Sequence, residues 1–249
     1  MSGHSKWSTI KRQKGAADAK RGALFTKLSR EIIIAAKQGL PDPASNFKLR
    51  LAVQRAKAAN MPHDNIDRAI AKGSGQGDQE QLDEITYEGY GPGGTAILVA
   101  VLTDNRNRTV AEVRHRFSRA GGNLGETGSV AWQFEAKGLI TIKLNGHDAD
   151  DTALQAIDAG ADDVSVEDDV LEVTTDPANL EPVRRTLEAA GLEVENADFA
   201  MVPTNTIELD TKAAHQALKL IDSLEDLEDV QRVYSNADFT DEALESYEG

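Results

Sequence analysis

A glycine-rich polar stretch, Gly73-Ser74-Gly75-Gln76-Gly77-Asp78, separates two parts of the chain that differ in hydrophobic pattern and in charge. Before this stretch apolar residues recur at helical spacing, and after it the pattern becomes that of strands alternating with helices. Because glycines and small polar residues interrupt regular structure, we place a domain boundary there. The chain is therefore predicted to begin with a helical domain, residues 1–77, and to continue as α+β structure.

The charge changes sign at the same place. Residues 1–74 contain 15 lysines and arginines against 5 acidic residues, a net of +10, whereas the rest of the chain has 12 basic and 37 acidic residues. Salt screens surface charges beyond about 10 Å, so a ligand responds to the nearest segment and not to the total of −15. A polyanionic partner is therefore predicted for the first domain despite the acidic composition of the whole chain.

The first domain is predicted to be a three-helix unit. The first helix is amphipathic, with Leu24, Leu28 and Ile32 on one face and a basic stripe on another. Glycine and prolines at 39–43 end it, and Pro62 and Gly73 bracket the last helix. Three helices at about 21–38, 45–59 and 62–73 can share one small core.

The second part is predicted to contain a domain inserted into another. From Leu139 onward the order is strand, helix, strand, strand, helix, strand, which is the ferredoxin-like order. The elements on either side, among them a predicted strand at Ser129–Glu135 and a helix at Val110–Ala120, are too few for separate sheet domains, so we expect them to pair with each other. The fold class is α+β multidomain, an N-terminal helical domain plus two α+β domains, one ferredoxin-like and inserted in the other. The predicted limits are 1–77, 78–136 with 204–239, 137–203, and an acidic, frayed tail at 240–249.

The N-terminal segment places cations next to aromatic residues. Phosphate backbones attract dense cationic donors, and the release of counterions drives binding without regard to sequence. Trp7 and Phe25 lie among these cations, and such rings can stack on exposed bases. We predict a nucleic-acid or ribosome contact here, against the alternative of a solvated basic arm. The residues are Lys6, Lys11, Arg12, Lys14, Lys20, Arg21, Lys27 and Arg30.

A second basic cluster lies in the otherwise acidic part. It contains Arg106, Arg108, Arg114 and Arg116, with Arg119 beyond them. Arg108 is expected just before a helix that Thr109 caps, where guanidinium groups and free N–H groups both bind phosphate. The alternative is a salt-bridged turn that uses the carboxylates at 104 and 112.

The sequence favours no enzyme class. Gly89-Tyr90-Gly91-Pro92-Gly93-Gly94 has the spacing of a dinucleotide-binding loop, but a strand-like run follows it where that reading needs a helix, so we predict a hairpin turn. The chain has no cysteine, its five histidines are far apart, and its acidic clusters lie where carboxylates cap helices. No metal or cofactor is predicted, and no apolar run approaches the length of a membrane span, so no membrane partner is expected.

Several motifs in order resemble one known family, over nearly the whole chain to about Phe239. They are Ser2–Trp7, Asp18–Arg21, Phe25–Leu28, Arg30–Ile32, Asn60–Pro62, Asp64–Ile66, Tyr87–Gly94, Thr103–Thr109 and Gly121–Gly125. The chain is similar in these segments to the YebC/PmpR family of bacterial regulators, which also includes a mitochondrial translational activator.

The resemblance implies the same three domains and a non-enzymatic, DNA-binding transcriptional regulator. Because Ser2 begins the first family motif, a transit peptide is disfavoured and a cytoplasmic location is implied. Part of the family acts in translation, so a ribosome-associated factor that contacts ribosomal RNA is the alternative, and an enzyme that uses the glycine loop at 89–94 is a weaker one. The acidic α+β domains are predicted to offer surfaces for protein partners.

Overall fold

The computed structural model describes residues 18–76, 81–167 and 169–247, with side chains from residue 21 onward. The chain divides into two compact units. Residues 134–204 form one, and the described residues before and after them form the other. The first helices and the first sheet thus belong to the same unit. The domain limits predicted from sequence stay predictions.

The first described segment is a bundle of three helices, as predicted. Its core is built from apolar residues of all three helices, among them Ile32, Leu49 and Ile66, each at most 2% exposed. Asn46 caps the second helix by accepting the Leu49 N–H at 3.1 Å, and its amide donates to the carbonyl oxygen of Ala35. The helices are α1 (Asp18–Gln38), α2 (Phe47–Ala58) and α3 (His63–Gly73).

The bundle is followed by an antiparallel hairpin and a helix. The glycine segment at 89–94 forms the turn, in which Gly93 and Gly94 take φ values of +72° and +77° that favour glycine. A strand follows this turn, as predicted. The elements are β1 (Asp83–Tyr90), β2 (Ala96–Thr103), α4 (Arg106–Arg119) and β3 (Asn123–Leu124).

The elements on either side of the insertion share one sheet. Its order is β3-β1-β2-β9, so β9, from the end of the chain, pairs with β2. The apolar faces of α4 and α7 cover this sheet, with Phe117 and Leu218 fully buried. The later elements are β8 (Ile207–Glu208), α7 (Thr211–Glu225), β9 (Val230–Ser235), β10 (Ala237–Asp238) and α8 (Asp241–Glu245). The prediction that these flanking elements pair is confirmed.

Residues 134–204 form the ferredoxin-like unit, also as predicted. Its sheet has the order β5-β6-β4-β7, and a core of Ile140, Leu171 and Leu187 fills the space between the sheet and two helices. The elements are β4 (Phe134–Lys143), α5 (Ala149–Asp158), β5 (Asp163–Glu167), β6 (Val170–Thr175), α6 (Leu180–Ala189) and β7 (Glu193–Pro203).

Two local predictions are wrong. Of the strand predicted at Ser129–Glu135, only Phe134 and Glu135 are in a strand, as the start of β4. Residues 129–133 are a loop with a short 3₁₀ turn at Ala131–Gln133, because the Glu88 carboxylate takes the backbone N–H groups that a strand would use. The tail predicted to fray contains α8, whose Leu244 is 2% exposed, so the described residues up to 247 complete the core.

Candidate nucleic-acid interface

The predicted cationic residues fall into three groups. Lys6, Lys11, Arg12 and Lys14 lie outside the described residues, and Lys20 lies in α1 with its side chain outside them. Arg21, Lys27 and Arg30 belong to α1, and Arg106, Arg108, Arg114 and Arg116 belong to α4. The structure gives these last seven residues very different surroundings.

The Arg30 side chain binds residues 228 and 229, just before β9. Its Nη1 lies 2.7 Å from Oδ1 of Asp229 and donates to the Glu228 carbonyl oxygen at 3.1 Å, and its side chain is 11% exposed. Lys27, one turn earlier, donates to the carbonyl oxygen of Glu225. These two predicted phosphate contacts therefore join α1 to the end of α7 and to the segment between α7 and β9.

Arg108 meets the same carboxylate. Its Nη2 lies 2.7 Å from Oδ2 of Asp229 and 2.8 Å from Oδ1 of Asp104. The Thr109 hydroxyl also donates to Asp229, at 2.6 Å. Burial alone raises the pKa of Asp229, but the bonds from Thr109 and Arg108 and the nearby charge of Arg30 together hold that pKa below its ordinary value. This carboxylate is therefore ionised and links three parts of the chain.

The salt-bridged turn, left open by the sequence, is present at the start of α4 with Asp104, whereas Glu112 makes no ion pair among the described residues. Besides the Arg108–Asp104 pair, Nε of Arg106 lies 2.6 Å from Oδ2 of Asp83. The expected Thr109 cap is wrong, because α4 begins at Arg106 and Asn105 caps it by accepting the Arg108 N–H at 3.1 Å. Thr109 is buried one turn into the helix, where it faces Asp229.

The rest of α4 presents cations to solvent. Arg114 and Arg119 are exposed and Arg116 is half-buried. Among the residues that the structure describes, none of these three side chains makes an ion pair or a hydrogen bond. The second half of α4 therefore keeps guanidinium groups available for an external anion.

The helical bundle adds exposed lysines. Lys48 and Lys57 project from α2 without an ion pair in the described segments, and Arg21 is exposed on α1 but has an intramolecular partner. An acid within the bundle is neutralised from α2, where Arg55 lies 2.8 Å from Glu31. Burial raises the pKa of Glu31, against the opposing charges of Arg55 and Lys27.

A polar cavity of about 370 Å³ lies between α1, α3 and the start of α4. Arg68 and Lys72 line it from α3, and the carboxylates of Asp104 and Glu228 line the other side. Arg68 also bonds to the Asp64 carbonyl oxygen of its own helix. The cavity thus carries both signs of charge, and it adds no distinct anion site.

One exposed residue was missed by the sequence reasoning. Trp132 is 72% exposed, in the loop where a strand was predicted. Its neighbours in the chain, Val130 and Gln133, are buried. In a strand, Trp132 would lie on the same face as the buried Val130, so the predicted strand gave no sign that this side chain is exposed.

The described residues hold no group of three or more His, Asp or Glu arranged to bind a metal ion. None of the helices in the described part of the chain has the length and apolar content needed to cross a membrane.

Comparison with known proteins identifies relatives of the whole chain. Residues 5–76 match the family model described as "TACO1/YebC protein N-terminal domain", and residues 82–237 match "TACO1/YebC second and third domain". A protein of Dehalococcoides mccartyi is 58% identical over 99% of this chain and 98% of its own. A protein of Thermomicrobium roseum is 55% identical over 96% and 97%. Both are named "Probable transcriptional regulatory protein".

A solved structure has the same fold. It is the crystal structure of the conserved hypothetical protein Aq1575 from Aquifex aeolicus, which is 44% identical and superposes with a TM-score of 0.83. The match covers 90% of this chain and 93% of that chain. The helical region and both α+β parts therefore have a counterpart in an experimental structure.

Proposed function

The chain belongs to the TACO1/YebC family, and on that premise we propose that it is a non-enzymatic, DNA-binding transcriptional regulator that acts in the cytoplasm. The observation that carries the proposal is the segregation of charge, with 15 basic against 5 acidic residues in the first 74 positions of an otherwise acidic chain. The names of the relatives agree with a regulator.

The ion pairs within the chain guide which predicted contacts this proposal keeps. Arg30, Arg106 and Arg108 are paired with carboxylates of the chain itself, so the proposal does not assign phosphate contacts to them. Arg114 and Arg116 on α4, with Lys48 and Lys57 on α2, are accessible and have no acidic partner among the described residues. We assign the phosphate contacts to these accessible side chains and to the basic residues before residue 21.

The salt dependence of binding tests the proposal. Each lost phosphate contact lowers the slope of log K against log salt by about one. The double variant Lys48→Gln, Lys57→Gln should therefore lower the slope for duplex DNA by about two, measured by fluorescence anisotropy across a salt series. The double variant Lys212→Gln, Lys219→Gln removes the same charge from α7, in the acidic part, and should leave the slope unchanged. Binding that does not respond to salt would contradict the proposal.

A ribosome-associated factor remains the second candidate. The accessible cations of the chain lie on two separate elements, α2 and α4. This arrangement suits structured RNA, because structured RNA is recognised through its shape and phosphates rather than by one base-reading helix. Co-sedimentation with ribosomes across a salt gradient, compared with recovery on chromatin, separates the two. Retention on ribosomes with no chromatin recovery would favour this candidate over the first.

A further inference from the structure

The outer side of α5, in the ferredoxin-like unit, is apolar. Thr152 and Ala156 are buried against the sheet, which is the side that such a helix normally hides. Leu154, almost opposite them on the helix, is 60% exposed. Ile157, three residues later and therefore its neighbour on the helix surface, is 51% exposed. Polar residues usually occupy these positions, so α5 shows a second apolar face to solvent.

The edge of the sheet extends this face. β5 is an outer strand, and its Val166, 43% exposed, pairs with Leu171 of β6. Paired residues point to the same side of a sheet, and Leu171 is buried under the helices, so Val166 lies on the helical side. β4 and β5 are parallel, since both pair antiparallel with β6. The crossover between such strands is right-handed, and this turns Ile157, the position after the buried Ala156, toward β5. Leu154, Ile157 and Val166 therefore lie on one side of the unit, along α5 and the outer edge of β5.

Carboxylates lie at both ends of this apolar surface. Residues 134–204 contain 17 acidic and 4 basic residues, a net charge of −13. Residues 144–183, which include α5 and β5, contain 12 acidic residues and no lysine or arginine. The exposed acids at the ends of α5 and at the start of β5 are Asp148, Asp150, Asp151, Asp158, Asp162 and Asp163. The apolar side chains are thus the centre of a strongly negative surface.

The four cations of the unit do not neutralise this surface. Each is paired with a carboxylate of the same unit. The pairs are Lys137 with Asp162 at 3.1 Å, Lys143 with Glu195 at 3.3 Å, Arg184 with Glu188 at 3.0 Å and Arg185 with Glu181 at 2.7 Å. Of the exposed acids around α5, Asp162 alone belongs to one of these pairs. The other five have no cationic partner among the described residues.

We propose that the outer face of α5, with the edge of β5, docks a basic amphipathic segment of a partner protein. The apolar side chains of that segment cover Leu154 and Ile157, and its lysines and arginines pair with the carboxylates at 150 and 158. An apolar centre inside a charged rim is the usual anatomy of a protein interface. Opposite charge on the two sides speeds their encounter and sets their orientation. The inference goes beyond the proposed function, since it concerns the unit that carries none of the proposed phosphate contacts.

Charge disfavours the other occupants of such a face. A net charge of −13 repels nucleic acid and anionic lipid, and it also repels the same face of a second copy. The described residues hold no group of three or more His, Asp or Glu arranged to bind a metal ion, so these carboxylates do not form a cation site of that kind. A basic segment with an apolar side matches both the exposed Leu154 and Ile157 and the unpaired acids beside them.

Binding of a model peptide to the full chain tests the apolar contacts. The probe is a fluorescein-labelled peptide of leucines and lysines, arranged so that the leucines share one side of a helix. Leu154→Ser with Ile157→Ser should weaken its binding by about 10- to 100-fold in fluorescence anisotropy, because a few central side chains carry most of the affinity of an interface. Leu24→Ser with Leu40→Ser removes two exposed leucines from the other unit and should leave the affinity unchanged.

A second pair of variants tests the carboxylates. Asp150→Asn with Asp158→Asn should weaken peptide binding at low salt and reduce its dependence on salt, because two charges of the rim are lost. Glu112→Gln with Glu126→Gln removes the same charge from exposed acids of the other unit and should change neither. All the substituted side chains are exposed, so thermal unfolding of every variant should match that of the parent.

Three results would overturn the inference. Peptide affinity that is unchanged by Leu154→Ser with Ile157→Ser would show that α5 is not the docking face. Equal affinity for a peptide of the same composition, with its leucines spread around the helix, would show attraction by charge alone. Self-association of the parent in analytical ultracentrifugation, lost in the same double variant, would assign the face to a second copy. Duplex DNA should bind this variant and the parent equally, so failure of the inference leaves the proposed function standing.

Discussion

Asp229 accepts hydrogen bonds from three separate parts of the chain although its side chain is only 3% exposed. Two of its partners, Arg30 and Arg108, are positive residues that the sequence assigned to phosphate. A buried carboxylate is costly unless its charge is compensated, so these guanidinium groups stabilise the folded chain. Removing either side of such a pair leaves an unpaired buried charge.

Asp229→Asn should therefore lower the free energy of unfolding by about 3–5 kcal/mol, the range for breaking a buried ion pair from one side. Because the folded pKa of Asp229 lies below the unfolded value of about 3.9, its stabilisation is complete well above that value. The stabilisation is lost as the pH falls through the unfolded pKa toward the folded one. Urea unfolding at pH 7 and pH 3.5 measures both effects, and the variant should show the smaller change between them.

Glu228→Gln is the matched control. Glu228 contacts the same Arg30, at 3.5 Å, but its side chain is 60% exposed. Exposed pairs contribute at most about 1 kcal/mol, so this variant should unfold close to the parent. Equal destabilisation by the two substitutions would show that Asp229 is not the centre of the network.

Glu88→Gln should loosen the loop at 125–132. An amide oxygen accepts fewer of the three backbone N–H groups that the Glu88 carboxylate binds in this loop, and each unsatisfied buried donor costs about 1–3 kcal/mol. In the Trp7→Phe background, where Trp132 is the only indole, its emission should become more accessible to acrylamide quenching. Glu126→Gln, an exposed acid of the same loop, should leave the quenching unchanged.

At the scale of elements, helix caps decided boundaries that periodicity could not. The buried face of α4, formed by Thr109, Val113 and Phe117, predicts a helix. It does not predict that the helix begins at Arg106 with Asn105 as its cap. Asn, Asp, Ser and Thr all cap well, and both Asn105 and Thr109 stood near the predicted start. Contact with Asp229 placed Thr109 inside the helix.

The short helix α8 is held by packing rather than by its own sequence. Leu244 and Tyr247 are buried in the same core as α7, and the Tyr247 hydroxyl donates to Asp222 at 3.0 Å. Burial, with the neighbouring charge of Asp222, raises the pKa of that phenol. A five-residue helix is unstable alone, and the acidic composition of this segment predicted a frayed tail. The contacts with the core explain why the helix is ordered.

Leu244→Ala should reduce stability by about 2–5 kcal/mol, the usual cost of a cavity left by a buried leucine. The loss should appear as a lower midpoint in thermal or urea unfolding of the full chain. Glu245→Ala, in the same helix but exposed, is the control and should change the midpoint little. A midpoint unaffected by Leu244→Ala would mean that the end of the chain frays after all.

At the scale of the whole molecule, one buried residue joins both ends of the insertion. Asn236 donates from its side chain to Gln133 at 3.1 Å, and its carbonyl oxygen accepts the Ile207 N–H at 2.8 Å. Its side-chain oxygen also accepts the Ala96 N–H at 2.8 Å. Residues on both sides of the insertion, Gln133 and Ile207, are thus bound by the same residue.

Replacing residues 134–204 by a short glycine-serine linker should therefore leave a folded remainder, since the sheet β3-β1-β2-β9 and its core lie wholly outside the removed segment. Cooperative unfolding and dispersed amide signals in NMR spectra would show this. The same deletion combined with Asn236→Ala should unfold more easily, because the backbone N–H of Ala96 and the side-chain oxygen of Gln133 lose their partners. A molten remainder in the first variant would contradict the prediction.

Much of the architecture was predictable. Periodicity identified the three-helix bundle and the ferredoxin-like order, and most element ends fell within a few residues of the observed ones. The basic residues of the candidate site were predictable, but which of them are paired within the chain was not. Sequence gives the charge of Arg30 and Arg108, but not that Asp229, about 120 to 200 positions away, neutralises them.

The sequence by itself determined the class of most elements, the inserted order of the α+β domains and the segregation of positive charge, because these follow from local spacing and composition. Only the tertiary structure decided which cations remain accessible, why α8 is ordered and that Trp132 stands exposed on an anchored loop. Those properties depend on contacts between distant residues, whose burial and distance set whether a charge is paired and whether a ring faces solvent.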